Sequence, residues 1–295
     1  MKIAIIGANG QLGSELVRVF GEEVMPLTHN DLDVTDNDSL DILMELKPDV
    51  VVNTAAYVRV DDAEAEVEEA LRVNAIGALN LARFCNEVGA LDIYISTDYV
   101  FDGAKGGAYL EEDVPNPINV YGLSKYVGEV FTRNYSRDYY IIRLASLYGN
   151  VGARGKGGNF VEFMIQKAEK DEEIRVVDDV FMSPTYARDV AVMLKRFLAL
   201  KPESGVYHMV NGGYCNWYEF TRTIFDILGW EVEVKAIKSD TLERLARRPP
   251  FSALSNRKLE GLGLKMRDWR GALRDYLIIS SRQNNHAKEN KRKRG

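Results

Sequence analysis

The chain has 295 residues, of which 46% are hydrophobic and 28% charged, values ordinary for a soluble globular protein and unlike those of a disordered, fibrous or membrane-spanning chain. Its formal charge of −6 is unevenly spread: residues 281–295 carry a net +5, which leaves −11 on residues 1–280. Two cysteines, Cys85 and Cys215, lack a Cys-x-x-Cys partner, and with only three histidines in the chain no disulfide framework and no metal site is predicted.

Met1-Lys2 leads directly into Ile3–Ile6, which reads as a buried strand rather than a secretory signal, so a cytoplasmic location is expected. Further strands are predicted at Val24–Leu27, Asp49–Asn53, Asp92–Ser96 and Tyr140–Leu144, with helices beginning near Leu12, Asp38, Asp62 and Val120. Continuous apolar strands alternating with helices predict an α/β fold, a Rossmann-type doubly wound parallel sheet, whose ligands bind at the carboxyl ends of the strands. Glycines crowd residues 149–158, which predicts a loop, read here as a substrate lid. Beyond it a helix is expected at 160–170, a strand at 174–177 and a helix at 187–199. A strand at 206–210, a helix at 217–228, a strand at 231–237 and a helix near 269–279 follow. Residues 1–150 are thus expected to form the dinucleotide-binding core, with a stretch at about 174–200 returning to it. Residues 151–280 are expected to form mainly a smaller C-terminal α/β substrate-binding lobe, and 281–295 a disordered basic tail. That tail has no interleaved aromatics, so neither nucleic acid nor membrane is expected as a partner.

The first strand runs into Gly7-Ala8-Asn9-Gly10-Gln11-Leu12-Gly13. Its Gly-x-x-Gly-x-x-Gly spacing permits a tight turn and lets backbone N–H groups approach a pyrophosphate at the positive end of a helix. A plain turn is the alternative, disfavoured by the position between first strand and first helix. After Leu27 stand Thr28-His29-Asn30-Asp31-Leu32-Asp33, where Asp31 and Asp33 either bond adenine or ribose or cap the next helix. Neither an acid nor an arginine stands at the strand end itself, so NADPH and NADH both stay open.

Tyr121 and Lys125 are four residues apart, which places them a turn apart on one helix face. An ammonium beside a phenol lowers its pKa from about 10, making it a usable acid-base near neutrality. Thr97, at the carboxyl end of the fourth strand, can aim its hydroxyl at the same carbonyl oxygen. Tyr214, Trp217, Tyr218 and Phe220 read as core and interface packing.

Together these residues resemble an extended short-chain dehydrogenase/reductase, and more narrowly the dTDP-4-dehydrorhamnose reductase family. The resemblance rests on residues 7–13, Asp31-Leu-Asp33-Val34-Thr-Asp36, Asn53-Thr-Ala55-Ala56-Tyr57, Ser96–Gly103, Asn119–Lys125, Gly158-Asn159-Phe160, Ser183–Ala187 and Arg248-Pro249. It implies reduction of the 4-keto group of dTDP-4-dehydro-L-rhamnose to dTDP-L-rhamnose by NADPH or NADH. Tyr121 is then the proton donor, Lys125 lowers its pKa and holds the ribose, and Thr97 bonds the keto oxygen. Gly7, Asn9, Gly10, Gln11, Leu12, Gly13, Asp31, Asp33, Val34, Ala55, Ala56 and Tyr57 fall on the cofactor, and Thr97, Tyr99, Asn159, Phe160 and Arg248 on the nucleotide sugar. A homodimer is part of the same expectation. The chain departs from several members at Ser146, where they carry tryptophan. Tyr99 stands where related dehydratases have a glutamate, which argues against elimination chemistry. A 4-epimerase, another 4-keto reductase and a non-catalytic subunit resembling the methionine adenosyltransferase β subunit are the alternatives.

Overall fold

The computed structural model describes residues 1–151 and 158–279. Residues 152–157 of the expected lid and the expected basic tail lie outside the described residues. Six strands form one parallel sheet: β1 (Ile3–Ile6), β2 (Val24–Leu27), β3 (Val50–Asn53), β4 (Leu91–Thr97), β5 (Tyr139–Leu144) and β6 (Gly205–His208). Their spatial order is β6-β5-β4-β3-β1-β2, every pair parallel, with Ile3 facing both Val24 and Val50 in register. The chain reverses its direction of winding between β1 and β3, so the crevice beyond their carboxyl ends is the switch point where doubly wound sheets bind ligands. Pro26, which cannot donate to a ladder, is tolerated because β2 is an edge strand.

Each strand is apolar on both faces because each face carries its own core. On one side Ile3, Ile5, Val52 and Ile142 meet the Gln11–Phe20 helix through Leu12, Leu16 and Phe20, and the Ala187–Leu200 helix through Val190, Leu194 and Phe197. On the other side Ala4, Ile6 and Val51 meet Leu81, Phe84 and Cys85 of the Gly77–Val88 helix. A separate cluster gathers Tyr148, Met164, Phe220, Ile224, Trp269 and Tyr276 around the parallel pair Ile174–Val177 and Val234–Ile237. Of the stretch at 174–200, only the helix from Ala187 therefore packs on the sheet; Ile174–Val177 builds the second cluster.

The helix expected near Asp62 is interrupted. It runs as Asp62–Ala65, Val67–Leu71, a π-turn at Arg72–Ile76 and then Gly77–Val88. Glu66 leaves helical geometry at φ −110°, ψ 48°. Asn74, inside the π-turn, accepts from the Tyr57 N–H at 2.9 Å and donates to the Tyr57 carbonyl at 3.0 Å, locking the segment after β3. No helix among the described residues is long and apolar enough to cross a membrane.

Phe197 is fully buried with edge-to-face contacts to Tyr140 and Tyr207 at 4.8 and 4.7 Å between centroids. Phe197→Ala is expected to cost about 3–5 kcal/mol, read as a lower denaturant midpoint.

Candidate active site

The turn after β1 begins at Gly7, whose φ of +78° lies in the left-handed region. A Cβ on Gly7 would stand 2.8 Å from Thr54 Oγ1, and one on Gly13 would stand 2.3 Å from the Gly7 carbonyl. Strand end, loop and helix thus meet too closely for side chains there. Gly10 is the N-cap of the Gln11–Phe20 helix and has no side chain to bond its first-turn N–H groups. Donors left free at the positive end of a helix suit a pyrophosphate, so the loop fits a dinucleotide.

A cavity of about 650 Å³ opens here, lined by Gly7, Asn9, Gly10, Gln11 and Leu12 and, across from them, by Asp33, Val34, Ala55 and Ala56. Three residues expected on the cofactor, Gly13, Asp31 and Tyr57, do not line it. Gly13 is turned against Gly7. The Asp31 carboxylate closes the turn after β2 by accepting from the Thr28 N–H and hydroxyl at 2.8 and 2.7 Å. Tyr57 is buried and donates its hydroxyl to Glu66 at 2.7 Å. His29 and Arg72 also reach the cavity, beside Asp33, with Arg72 paired to Glu69 at 2.7 Å.

Thr97, Asp98, Tyr99, Tyr121 and Lys125 line the same cavity. Thr97 ends β4 and caps the short turn Asp98–Val100, accepting from the Tyr99 N–H at 3.2 Å. Asn119 caps the Val120–Tyr135 helix by accepting from the Gly122 N–H at 2.7 Å. That helix touches the Thr97 turn directly: a Cβ on Gly122 would lie 2.1 Å from the Tyr99 carbonyl oxygen. Tyr121 and Thr97 are thereby brought to the same cavity wall.

Burial raises the Tyr121 phenol above its ordinary value, opposed by the Thr97 hydroxyl and reinforced by the Asp98 carboxylate. Lys125, expected to lower it, does not reverse that direction. Its ammonium is pushed down by burial to about 7, with Glu129 pulling the other way. Lys125 Nζ lies over the Tyr94 ring, 4.1 Å from its centroid. Glu129, one turn beyond Lys125, accepts from Ser96 at 2.6 Å and from Arg143 at 2.8 and 2.7 Å, in an ion pair buried on both sides.

At the other end of the cavity lie Asn159, Phe160, Trp217 and Phe220. Asn159 spends its amide on structure: it accepts from the Glu162 N–H at 3.1 Å as an N-cap and donates to Gly149 and Tyr276 at 2.7 and 2.9 Å. Phe160 and Trp217 stand 4.5 Å apart between centroids. Trp217 and Phe220, read from the sequence as packing, are therefore also cavity walls; a run of aromatics beside a helix N-cap does not say which ring faces solvent. Ser146, at φ +41°, lines the cavity too. Arg248 does not: its guanidinium is clamped on Asp61 at 3.0 and 2.7 Å, where an anionic ligand would have to displace a carboxylate.

The family model described as RmlD substrate binding domain matches residues 1–281. The chain is 39% identical to the spore coat polysaccharide biosynthesis protein SpsK of Bacillus subtilis, over 94% of this chain and 96% of that protein. It is 38% identical to a dTDP-4-dehydrorhamnose reductase of Burkholderia thailandensis, over 92% and 97% respectively. The crystal structure of dTDP-4-dehydrorhamnose reductase from Bacillus anthracis in complex with NADP superposes with a TM-score of 0.89 at 37% identity, covering 95% of this chain and 100% of that one.

Gly122→Ala is expected to push the Tyr121 helix away from the Thr97 turn, since the obstacle is backbone. The cost should be about 1–3 kcal/mol in denaturant unfolding.

Proposed function

The chain belongs to the RmlD substrate binding domain family, and on that premise we propose how its own residues carry out a carbonyl reduction. It is an NAD(P)H-dependent oxidoreductase that reduces the 4-keto group of dTDP-4-dehydro-L-rhamnose to the hydroxyl of dTDP-L-rhamnose. One observation carries the assignment of roles: Thr97, Tyr121 and Lys125 share a cavity with the uncapped glycine loop.

When bound, NADPH or NADH supplies the hydride that goes to C4. The N–H groups of Asn9, Gln11 and Leu12 hold the pyrophosphate, that of Gly10 being given to the Gly7 carbonyl, and Lys125 donates to the adjoining ribose. As C4 gains the hydride, its oxygen becomes an alkoxide. Tyr121, kept protonated by burial, gives that oxygen its proton, and the Lys125 ammonium steadies the phenolate left behind. Thr97 donates to the same oxygen and aligns it, a stabilisation that grows as the charge develops. The nucleotide sugar extends toward Phe160, Trp217 and Phe220, whose rings offer flat apolar faces. Arg248, tied to Asp61, takes no part until that pair opens. Near the adenosine end Asp33 suits a ribose 2′-hydroxyl, while His29 and Arg72 suit a 2′-phosphate, so the same wall accommodates either cofactor. A cytoplasmic location belongs to this reading, supported by buried free thiols at Cys85 and Cys215 and by nucleotide substrates.

Purified protein supplied with a 4-keto-6-deoxy nucleotide sugar should consume NADPH or NADH stoichiometrically and give a single 4-hydroxy product. Interconversion of epimers without net consumption of cofactor would instead assign a 4-epimerase. Tyr121→Phe should lower kcat about a hundredfold or more while leaving the KM for cofactor nearly unchanged; full turnover in that variant would overturn the assignment of the proton donor.

A further inference from the structure

Asp98 lines the cavity beside Thr97, and the reaction as described gives it no task. It is 3% exposed, and each of its oxygens has a separate hydroxyl partner. Thr97 Oγ1 donates to Oδ1 at 3.0 Å, and Ser252 Oγ donates to Oδ2 at 2.5 Å. Ser252 arrives from a remote part of the chain and is held there by backbone: its N–H donates to the Phe181 carbonyl, and the Phe181 N–H to the Pro250 carbonyl, both at 2.9 Å.

A hydroxyl has one proton to give. While Asp98 is ionised, the Thr97 proton is committed to it. The Thr97 hydroxyl then points inward, away from a ligand in the cavity. If Asp98 takes up a proton on Oδ1, it donates to Thr97 instead. Thr97 Oγ1 then accepts from Asp98 and from the Tyr99 N–H, and its own proton faces the cavity. The alternative site, Oδ2, would leave the buried Ser252 proton without its acceptor, so Oδ1 is the position that satisfies every group.

We propose that Asp98 is a positioning residue whose protonation sets the direction of the Thr97 hydroxyl, and that its neutral form is the one that aims Thr97 at the 4-keto oxygen. The proposal rests on the reductase reading above. Burial lifts the Asp98 carboxyl to about 6, against the hydrogen bonds from Ser252 and Thr97, so the change falls within the range where the enzyme can be assayed. The titratable groups facing it are Tyr99 from its own turn, lifted to about 12, and Tyr121 from the Val120–Tyr135 helix, also lifted. The 250–252 segment brings only the uncharged hydroxyl of Ser252. Lys125 shares the cavity, and Arg244, Arg248 and Asp61 act on the neighbouring Tyr99.

The sign follows: reduction should slow as pH rises through the titration of Asp98, because the inward-pointing form takes over. The experiment is kcat for reduction against pH for wild type, Asp98→Asn and Ser252→Ala, with NADPH and a saturating 4-keto nucleotide sugar. Wild type should lose turnover as pH rises through about 6. Asp98→Asn, whose amide can donate to Thr97 at any pH, should lack that fall and keep only the one belonging to Lys125, nearer 7. Ser252→Ala removes a hydrogen bond that favours the carboxylate, so it should move the fall upward by about half a pH unit or more. A fall near 6 that persists in Asp98→Asn, or that stays in place in Ser252→Ala, would overturn the proposal, as would its absence in wild type. Failure of the wild-type protein to oxidise NADPH with any 4-keto sugar would instead defeat the reductase reading.

Discussion

At Gly122 a helix lies against the carbonyl of Tyr99 with no room for a methyl group, the gap to a built Cβ being 2.1 Å. The meeting of Thr97 and Tyr121 depends on that contact. It fixes the distance between the Val120–Tyr135 helix and the carboxyl end of β4, and so brings Tyr121 to Thr97. Gly128 repeats the device two turns on, where a Cβ would fall 2.3 Å from the Tyr94 hydroxyl. With the helix seated at both points, Lys125 lies across the face of Tyr94. The helix approaches the sheet at backbone distance, and the reactive side chains occupy the space left over.

Charges buried by that approach have to be balanced locally. Arg143 on β5 and Glu129 on the helix, each 3% exposed at the side chain, pair directly under Lys125, and Ser96 supplies Glu129 with a further donor. Such pairs seldom add net stability, because desolvation consumes most of the attraction, yet leaving one member alone costs about 3–5 kcal/mol. Their value here lies in placing a carboxylate where it opposes the loss of charge on Lys125. The acidic body therefore binds an anionic dinucleotide through local donors, and net charge says little about the ligand.

Much of this was legible in the sequence, for reasons that differ by element. The strands of the sheet announce themselves because both faces are buried, which makes each an unbroken apolar run; the glycine loop does so because steric necessity admits no other residue at Gly7 and Gly13. The spacing of Tyr121 and Lys125 puts them on one helix face, and their company with Thr97 and the glycine loop marks them as a site. What spacing cannot convey is the partner across the fold. Arg248 looks free as a string of letters and is in fact claimed by Asp61, 187 residues away. Asn159 looks like a ligand contact and is spent on a helix cap. Asp31 sits in a motif that suggests ribose, yet its oxygen closes its own turn. The Lys125 ammonium was expected to lower the Tyr121 phenol, but the strength of that effect is set by burial, which no local pattern encodes. Trp217 and Phe220 are hidden for the same reason: an aromatic that lines a cavity and one that fills a core have the same sequence signature.

The hydrogen bond from Ser252 to Asp98 also bears on the order in which the enzyme is made. Synthesis delivers the glycine loop, Thr97, Tyr121 and Lys125 early, and the sheet they stand on can begin to form from the N-terminal side. Within that portion of the chain Asp98 has only the Thr97 hydroxyl as a side-chain donor, and its other oxygen waits on Ser252. The arrival of residues 250–252, many residues later, completes the partner set. The surroundings of Thr97 are thus finished by a segment that contributes no reactive group to them.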